Sequence, residues 1–133
     1  MRMRNSVKHE LTEKILTERI LGFAISVHRA LGPGLLESVY EECLCHELAT
    51  AAVPFTRQQP IPVVYDGVKL ECGFRADIVV DGRVLIEIKS SDRFAPIHEA
   101  QLLTYLRLSK LKVGLLLNFN SVRMIDGMKR MVL

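Results

Sequence analysis

The sequence predicts an α/β fold, in which a mixed central β-sheet is flanked by helices, and three observations support this. Hydrophobic residues recur at three- and four-residue spacing through residues 10–50, as in amphipathic helices. Short aliphatic runs punctuated by Asp-Gly pairs follow between residues 61 and 88, as in β-hairpins. A continuous apolar run at 113–119 is typical of a strand covered on both faces. The expected order of elements is ααββββαββ.

The first half of the chain is expected to form two helices with a sharp break between them. The first spans about 10–31 and ends at Gly32-Pro33-Gly34, because Pro lacks an amide donor and Gly tolerates positive φ. The second spans about 35–50 and ends before Val53-Pro54. The residues expected to face the core are Leu11, Ile15, Leu16, Ile20, Leu21, Ala24, Ile25, Val27, His28, Leu31, Leu36, Val39, Tyr40, Cys43, Leu44 and Leu48.

The second half is expected to be mainly strands. The predicted strands are 61–65, 68–72, 74–80, 84–88, 113–119 and a last hairpin of 122–125 with 128–133 around Asp126-Gly127. A third helix at about 96–109 begins with Pro96, which suits a first helical turn. Its expected core residues are Ile97, Leu102, Leu103 and Leu106.

Length and composition indicate one domain, residues 1–133. A chain of 133 residues with 49% hydrophobic and 25% charged residues suits a single core. No run approaches the roughly 18 apolar residues of a membrane span, and the basic N-terminus precedes no apolar secretory segment. Three cysteines (Cys43, Cys45 and Cys72) are too few for a disulfide scaffold, so we expect a cytoplasmic protein with buried, unpaired thiols.

The net charge of +3 is unevenly distributed along the chain. Residues 31–60 hold four acids and one base, whereas residues 107–133 hold six bases and one acid. This pattern fits a carboxylate-rich region beside a phosphate-attracting one, and it equally fits solvated helix and strand faces.

Glu87 and Lys89 are the first candidates for chemistry. In a strand over 83–89 they lie on one face, two residues apart, within an otherwise apolar segment. Burying unpaired charge is costly, so their presence needs a reason. An internal Glu–Lys ion pair or an exposed strand end is the alternative to a functional role.

Asp77 lies in the preceding strand, and the turn between the strands decides whether it meets Glu87. A two-residue turn at Asp81-Gly82 pairs Val80 with Arg83 and separates the two carboxylates. A three-residue loop pairs Val80 with Val84 and places Asp77 opposite Glu87. Because Gly82 suits the left-handed position of such a loop, we predict the three-residue form.

Two adjacent carboxylates repel each other, and a hard divalent cation relieves that repulsion. Oxygen ligands with several waters are what Mg²⁺ prefers. Lys89, on the same face as Glu87, could hold or polarise a water that attacks phosphorus, or offset charge in the transition state.

Four motifs in order resemble the PD-(D/E)XK nuclease superfamily. Asp77, a nine-residue gap and Glu87-Ile88-Lys89 resemble its core signature. The segment Gly34-Leu-Leu-Glu37-Ser-Val-Tyr40 is similar to the motif of the GxxExxY family. Gln101-Leu-Leu-Thr-Tyr105 and Leu117-Asn-Phe119 resemble the QxxxY helix and following strand of RecB-like members. The resemblance covers about residues 9–133, with Ala76 in place of the superfamily's Pro.

The resemblance implies a restriction-endonuclease-like core with Mg²⁺ or Mn²⁺ held at Asp77 and Glu87. It adds the carbonyl of Ile88 and the carboxylate of Glu37 as further ligands. Glu37 lies in the first turn of the second helix, where the helix dipole favours any acid, so a purely structural role is the alternative there.

The third helix supplies further candidates. Gln101 and Tyr105 are four residues apart, and His98 lies on the same side. The resemblance places Gln101 and Tyr105 near the scissile phosphate as orienting groups. His98, Tyr40 and Arg75 are substrate-contact candidates, although a hydrogen-bonded, half-buried role is the alternative for His98.

Together these features predict metal-dependent hydrolysis of phosphodiester bonds in nucleic acid, with DNA favoured over RNA. The alternative is a weakly active or inactive nuclease-fold module that binds nucleic acid or a protein. So small a domain offers little surface to grip a duplex, which suggests a homodimer or a protein partner.

Overall fold

The computed structural model of the protein describes residues 2–133, with side chains described from residue 13 onward. It contains three α-helices, seven strands and a 3₁₀ helix. These are α1 (Arg2–Leu31), α2 (Glu37–Thr50), β1 (Phe55–Pro60), β2 (Val63–Tyr65), β3 (Val68–Leu70), β4 (Arg75–Val80), β5 (Val84–Lys89), α3 (Pro96–Ser109), β6 (Val113–Asn118), the 3₁₀ helix (Met124–Gly127) and β7 (Met128–Val132).

Five strands form one mixed sheet in the order β1-β4-β5-β6-β7. The β5–β6 pair is parallel, with α3 as its crossover, and the other three pairs are antiparallel. β2 and β3 form a separate hairpin. The mixed α/β architecture predicted from the sequence is therefore confirmed.

The sheet is covered on both faces. One face packs against α1 and α2 in a cluster that includes Ile20, Leu44 and Ile86. The other face packs against α3, where Leu102 contacts the cluster around Leu85. Every residue of β6 is buried, as a strand covered on both faces requires. Across the described residues, no helix is long and apolar enough to span a bilayer.

The β4–β5 hairpin has the predicted register. Val80 pairs with Val84, and residues 81–83 form a three-residue loop. Gly82 adopts a left-handed φ of 65°, and Asp81 does so too, at 52°. The loop is closed by the Arg83 amide, which donates to the carbonyl of Val80 at 2.9 Å. This register places Asp77 beside Glu87.

The structure differs from the predicted secondary structure in three places. The strand β1 was absent from the prediction, because its polar, largely exposed sequence shows no apolar alternation. The segment 122–125 is not a strand: Met124 is buried by a 3₁₀ turn that leads directly into β7. The first helix begins at Arg2 rather than near residue 10.

Several expected core residues are exposed. Leu36, at 74% exposure, precedes α2 rather than lying within it, and Ile97, at 68%, sits in the first turn of α3. The other expected core residues that are exposed are Ile15, Leu31 and Val39. Leu11 lies outside the described side chains. Of the three thiols expected to be buried, that of Cys45 is buried and that of Cys72 is exposed.

Candidate active site

Asp77 and Glu87 meet where the β4–β5 ladder stops. The last regular pair is Ile78 with Ile86. Beyond it the Asp77 carboxylate takes the place of a backbone acceptor: the Ile88 amide donates to its Oδ2 at 2.7 Å. The Asp77 amide points at Oε1 of Glu87 at 3.4 Å. The two carboxylates predicted to be neighbours are thus held together by backbone contacts.

Burial dominates the electrostatics of this pair. It raises the pKa of Glu87, which is 6% exposed, to about 8, and the negative charge of Asp77 adds to the effect. Burial also raises the pKa of Asp77, partly opposed by the hydrogen bond from Ile88. Both carboxyl groups therefore resist ionisation. A bound cation would stabilise their ionised forms.

Lys89 lies on the Glu87 side of β5, half-buried. Its positive charge lowers the pKa of Glu87. Among the side chains from residue 13 onward, no carboxylate lies within 4 Å of its ammonium group. An internal Glu87–Lys89 ion pair is therefore not formed, and Lys89 remains free to contact a bound group.

The carbonyl of Ile88 faces the same side as Asp77. The Phe119 amide donates to the carbonyl of Lys89 at 2.9 Å, so the backbone of Lys89 faces β6. Backbone groups of successive strand residues point in opposite directions, so the backbone groups of Ile88 face β4. Its N–H meets Asp77 there, and its carbonyl points to the same edge.

Glu37 is close to the pair but does not join it. Its Oε2 accepts a hydrogen bond from the Ser90 amide at 3.1 Å, just after β5 ends. Its charge still contributes to the raised pKa values of Asp77 and Glu87. In the described part of the chain, no three Asp, Glu, His or Cys side chains are close enough to bind one ion. The expected three-carboxylate cluster is thus not formed.

Glu41 is an acid near the site that the sequence reasoning did not assign. It is buried, and its Oε2 accepts from the Arg57 guanidinium at 2.8 Å. Its Oε1 accepts from the Gln58 side chain at 2.8 Å, and its charge raises the pKa of Asp77. The available signal was its position four residues after Glu37, on the same face of α2.

Tyr40, a candidate for substrate contact, is fully buried. Its hydroxyl donates to the Gly32 carbonyl at 2.7 Å and accepts from the Leu35 amide at 3.0 Å. Its ring stacks on Phe119 with centroids 4.5 Å apart. The residue therefore fastens the loop before α2 to the core, which is a structural role.

The candidate residues on α3 lie in two different places relative to the carboxylates. Tyr105 lies near the carboxylates: burial raises its pKa, the negative charges of Glu87 and Asp77 add to this effect, and the neighbouring Gln101 opposes it. His98 instead lies at the start of α3, where its Nδ1 accepts from the Ala95 amide at 3.3 Å. This matches the hydrogen-bonded alternative for His98.

Two other polar residues brace the edges of the site. Arg75 is exposed, and it donates to the backbone carbonyl of Gln58 at 3.2 Å. Asn118, at the end of β6, is buried and bonds to both the amide and the carbonyl of Ser91. Asn118 thereby fixes the segment that follows β5.

The donor set fits a small hard cation. Asp77, Glu87 and the Ile88 carbonyl offer oxygen atoms where the β4–β5 ladder ends. Mg²⁺ typically needs only one or two direct carboxylates, with waters completing its octahedron. The fit rests on geometry, because backbone contacts hold the buried Glu87 and the half-buried Asp77 side by side where the β4–β5 ladder ends.

Comparison with known protein families identifies the superfamily to which the chain belongs. The model of the PD-(D/E)XK nuclease superfamily matches residues 14–131, and the chain belongs to this superfamily. Nucleases of the superfamily generally use divalent metal ions, and membership implies interaction with nucleic acid. No curated protein and no solved structure matches the chain. The narrower GxxExxY and RecB-like assignments stay predictions.

Proposed function

We propose that the protein is a divalent-metal-dependent nuclease that hydrolyses phosphodiester bonds, with DNA as its substrate. The observation that carries the proposal is the Asp77–Glu87 pair, in which Glu87 is buried and Asp77 half-buried, held by backbone contacts where the β4–β5 ladder ends. The order of its motifs supports placing the chain in the GxxExxY family, with the RecB-like helix motif in α3.

The residues that would hold Mg²⁺ or Mn²⁺ are Asp77, Glu87 and the carbonyl of Ile88, with Glu37, which here accepts from the Ser90 amide, as a further candidate ligand. When bound, the ion supplies Lewis-acid polarisation of the phosphate and lowers the pKa of water. Glu87 must lose its proton before it can bind the ion. Because its pKa is raised to about 8, the fraction of protein with the ion bound is expected to rise with pH.

The neighbouring side chains would act on the substrate directly. The ammonium group of Lys89 would orient the attacking water and offset charge that develops at phosphorus. The hydroxyl of Tyr105 and the amide of Gln101 would donate hydrogen bonds to a phosphate oxygen. The guanidinium of Arg75 is exposed beside the site and suits contact with a flanking phosphate.

A plasmid-cleavage assay tests this function. With Mn²⁺ or Mg²⁺ at pH 8, the wild type is expected to nick supercoiled DNA, and Glu87→Gln and Lys89→Met are each expected to lose about a hundredfold or more in rate. Glu71→Gln and Lys69→Met change exposed residues of the same types and are the matched controls.

Two outcomes would contradict the proposal. Equal cleavage by the wild type and by the Glu87 and Lys89 variants would point to a contaminating nuclease. A wild type that binds DNA but cleaves none with either ion would favour the alternative, a nuclease-fold binding module.

A further inference from the structure

Gln58 has an unusual backbone conformation next to the proposed metal site. Its φ is 49°, in the left-handed region that a residue with a Cβ adopts only at a cost. The β1–β4 ladder pairs Arg57 with Ile78 and Gln59 with Ala76, but Gln58 and Asp77 between them do not pair. The β1–β4 ladder is therefore interrupted only at Gln58, the residue opposite Asp77.

The side chain of Gln58 bridges two carboxylates. Its amide nitrogen donates to Oε1 of Glu41 at 2.8 Å and approaches Oδ1 of Asp77 at 3.4 Å. The other oxygen of each acid is already engaged: Arg57 donates to Glu41, and Ile88 donates to Asp77. An amide nitrogen has two hydrogens, so one group serves both acids.

The backbone around Gln58 is braced in this conformation. Its carbonyl is turned out of the ladder and accepts from the Arg75 guanidinium at 3.2 Å. Arg57, the preceding residue, forms ion pairs with both Glu41 and Glu42 on α2. Local strain held by such surrounding contacts is typical of residues that serve a site.

We propose that Gln58 is a positioning residue whose side-chain amide orients the Asp77 carboxylate for the divalent cation and ties it, through Glu41, to α2. The inference rests on the proposed function. Each Asp77 oxygen has a second lone pair, so the carboxylate can bind a cation while it keeps its contacts with Gln58 and Ile88. Loss of the bridge would leave the Ile88 amide as the one remaining hydrogen-bond donor to the Asp77 carboxylate among the described residues, so the carboxylate would be less firmly oriented before the cation binds.

The test separates metal affinity from folding stability. Gln58→Gly removes the amide and relieves the positive φ, so its urea midpoint is expected to be equal to or above that of the wild type. Its Mn²⁺ affinity at pH 8, read by electron paramagnetic resonance, is expected to fall about 10- to 100-fold. Gln58→Ala is expected to show the same fall in Mn²⁺ affinity, together with a lower urea midpoint than the wild type.

Two controls match these variants. Ala52→Gly relieves another positive φ, at 57°, on an exposed turn after α2, and is expected to leave Mn²⁺ affinity unchanged. Gln59→Ala removes the neighbouring glutamine, whose side chain contacts Thr56 rather than the acids, with the same expected result.

The outcomes are distinct. If Gln58→Gly binds Mn²⁺ as tightly as the wild type, the Gln58 inference is overturned while the proposed function stands. If affinity falls only in the variant that also loses stability, Gln58 is merely structural, and the inference is again overturned. If the wild type binds no Mn²⁺, the proposed metal site fails, and the role of Gln58 fails with it.

Discussion

At the scale of single residues, the burial of two carboxylates determines the electrostatics of the site. Glu87 and Asp77 have ordinary sequence neighbours, yet burial raises the pKa of both. The sequence indicated their adjacency because turn chemistry fixes strand register. It left Tyr40 with two expected positions, in the core and in contact with substrate, because its motif position beside Glu37 is shared by residues that face the site and residues that face the core.

The raised pKa of Glu87 predicts a decline in stability with rising pH. Glutamate titrates near 4.5 when unfolded and near 8 here, so between these values the folded protein holds a proton that the unfolded chain has lost. The free energy of unfolding therefore falls across this window, with Glu87 contributing up to about 1.4 kcal/mol per pH unit. Asp77 acts in the same direction above its own ordinary pKa.

Urea denaturation between pH 5 and pH 8 in the presence of EDTA measures this decline. Glu87→Gln removes the titrating group and is expected to show a shallower decline than the wild type. Identical pH profiles for the two proteins would show that Glu87 titrates normally. Addition of Mn²⁺ at pH 8 is expected to restore stability to the wild type only.

Removal of the Tyr40 hydroxyl is predicted to destabilise the fold. Tyr40→Phe leaves the Gly32 carbonyl and the Leu35 amide without their partner, which costs about 1–3 kcal/mol in a buried setting. Tyr65→Phe changes an exposed tyrosine in β2 and is expected to alter the free energy of unfolding by less than about 0.5 kcal/mol. Equal urea midpoints for the two variants would refute the anchoring role of Tyr40.

At the scale of elements, apolar patterning predicted the buried strands and missed the polar one. β4, β5 and β6 are rich in aliphatic residues, whereas β1 reads Phe-Thr-Arg-Gln-Gln-Pro and lies at the sheet edge. Within β1, Arg57 and Gln58 bond to Glu41 of α2, and Gln58 also approaches Asp77, so charge and hydrogen bonding decide the structure there. That polar character hid the strand, and it is also what connects β1 to the site.

Two glycines show how tightly the elements pack. A Cβ on Gly127 would collide with the Asn118 carbonyl oxygen, whereas a Cβ on Gly22 in α1 would meet nothing within 4 Å. Gly127→Ala is therefore expected to lower the free energy of unfolding by about 1–3 kcal/mol. Gly22→Ala is expected to raise it by about 0.5–1 kcal/mol, because Ala favours the helix. Chemical denaturation of both variants checks this, and a stable Gly127→Ala would contradict the close approach.

At the scale of the whole molecule, three layers bring the candidate residues together where the β4–β5 ladder ends. β4 and β5 carry the carboxylates, α2 approaches from one face with Glu37 and Glu41, and α3 approaches from the other with Tyr105. The sequence predicted the layers and most of these residues, since their motifs are local. The positive φ of Gln58 and the link from Glu41 to Asp77 depend on packing between distant segments, which no local pattern encodes.

Isothermal titration with Mn²⁺ at pH 8 tests most directly whether Asp77 and Glu87 form a metal site. The wild type and the control Asp66→Asn, which changes an exposed turn aspartate, are expected to bind the ion with the same affinity. Asp77→Asn is expected to bind at least about tenfold more weakly, because it loses a charged oxygen ligand. Equal binding by Asp77→Asn and the wild type would contradict the site.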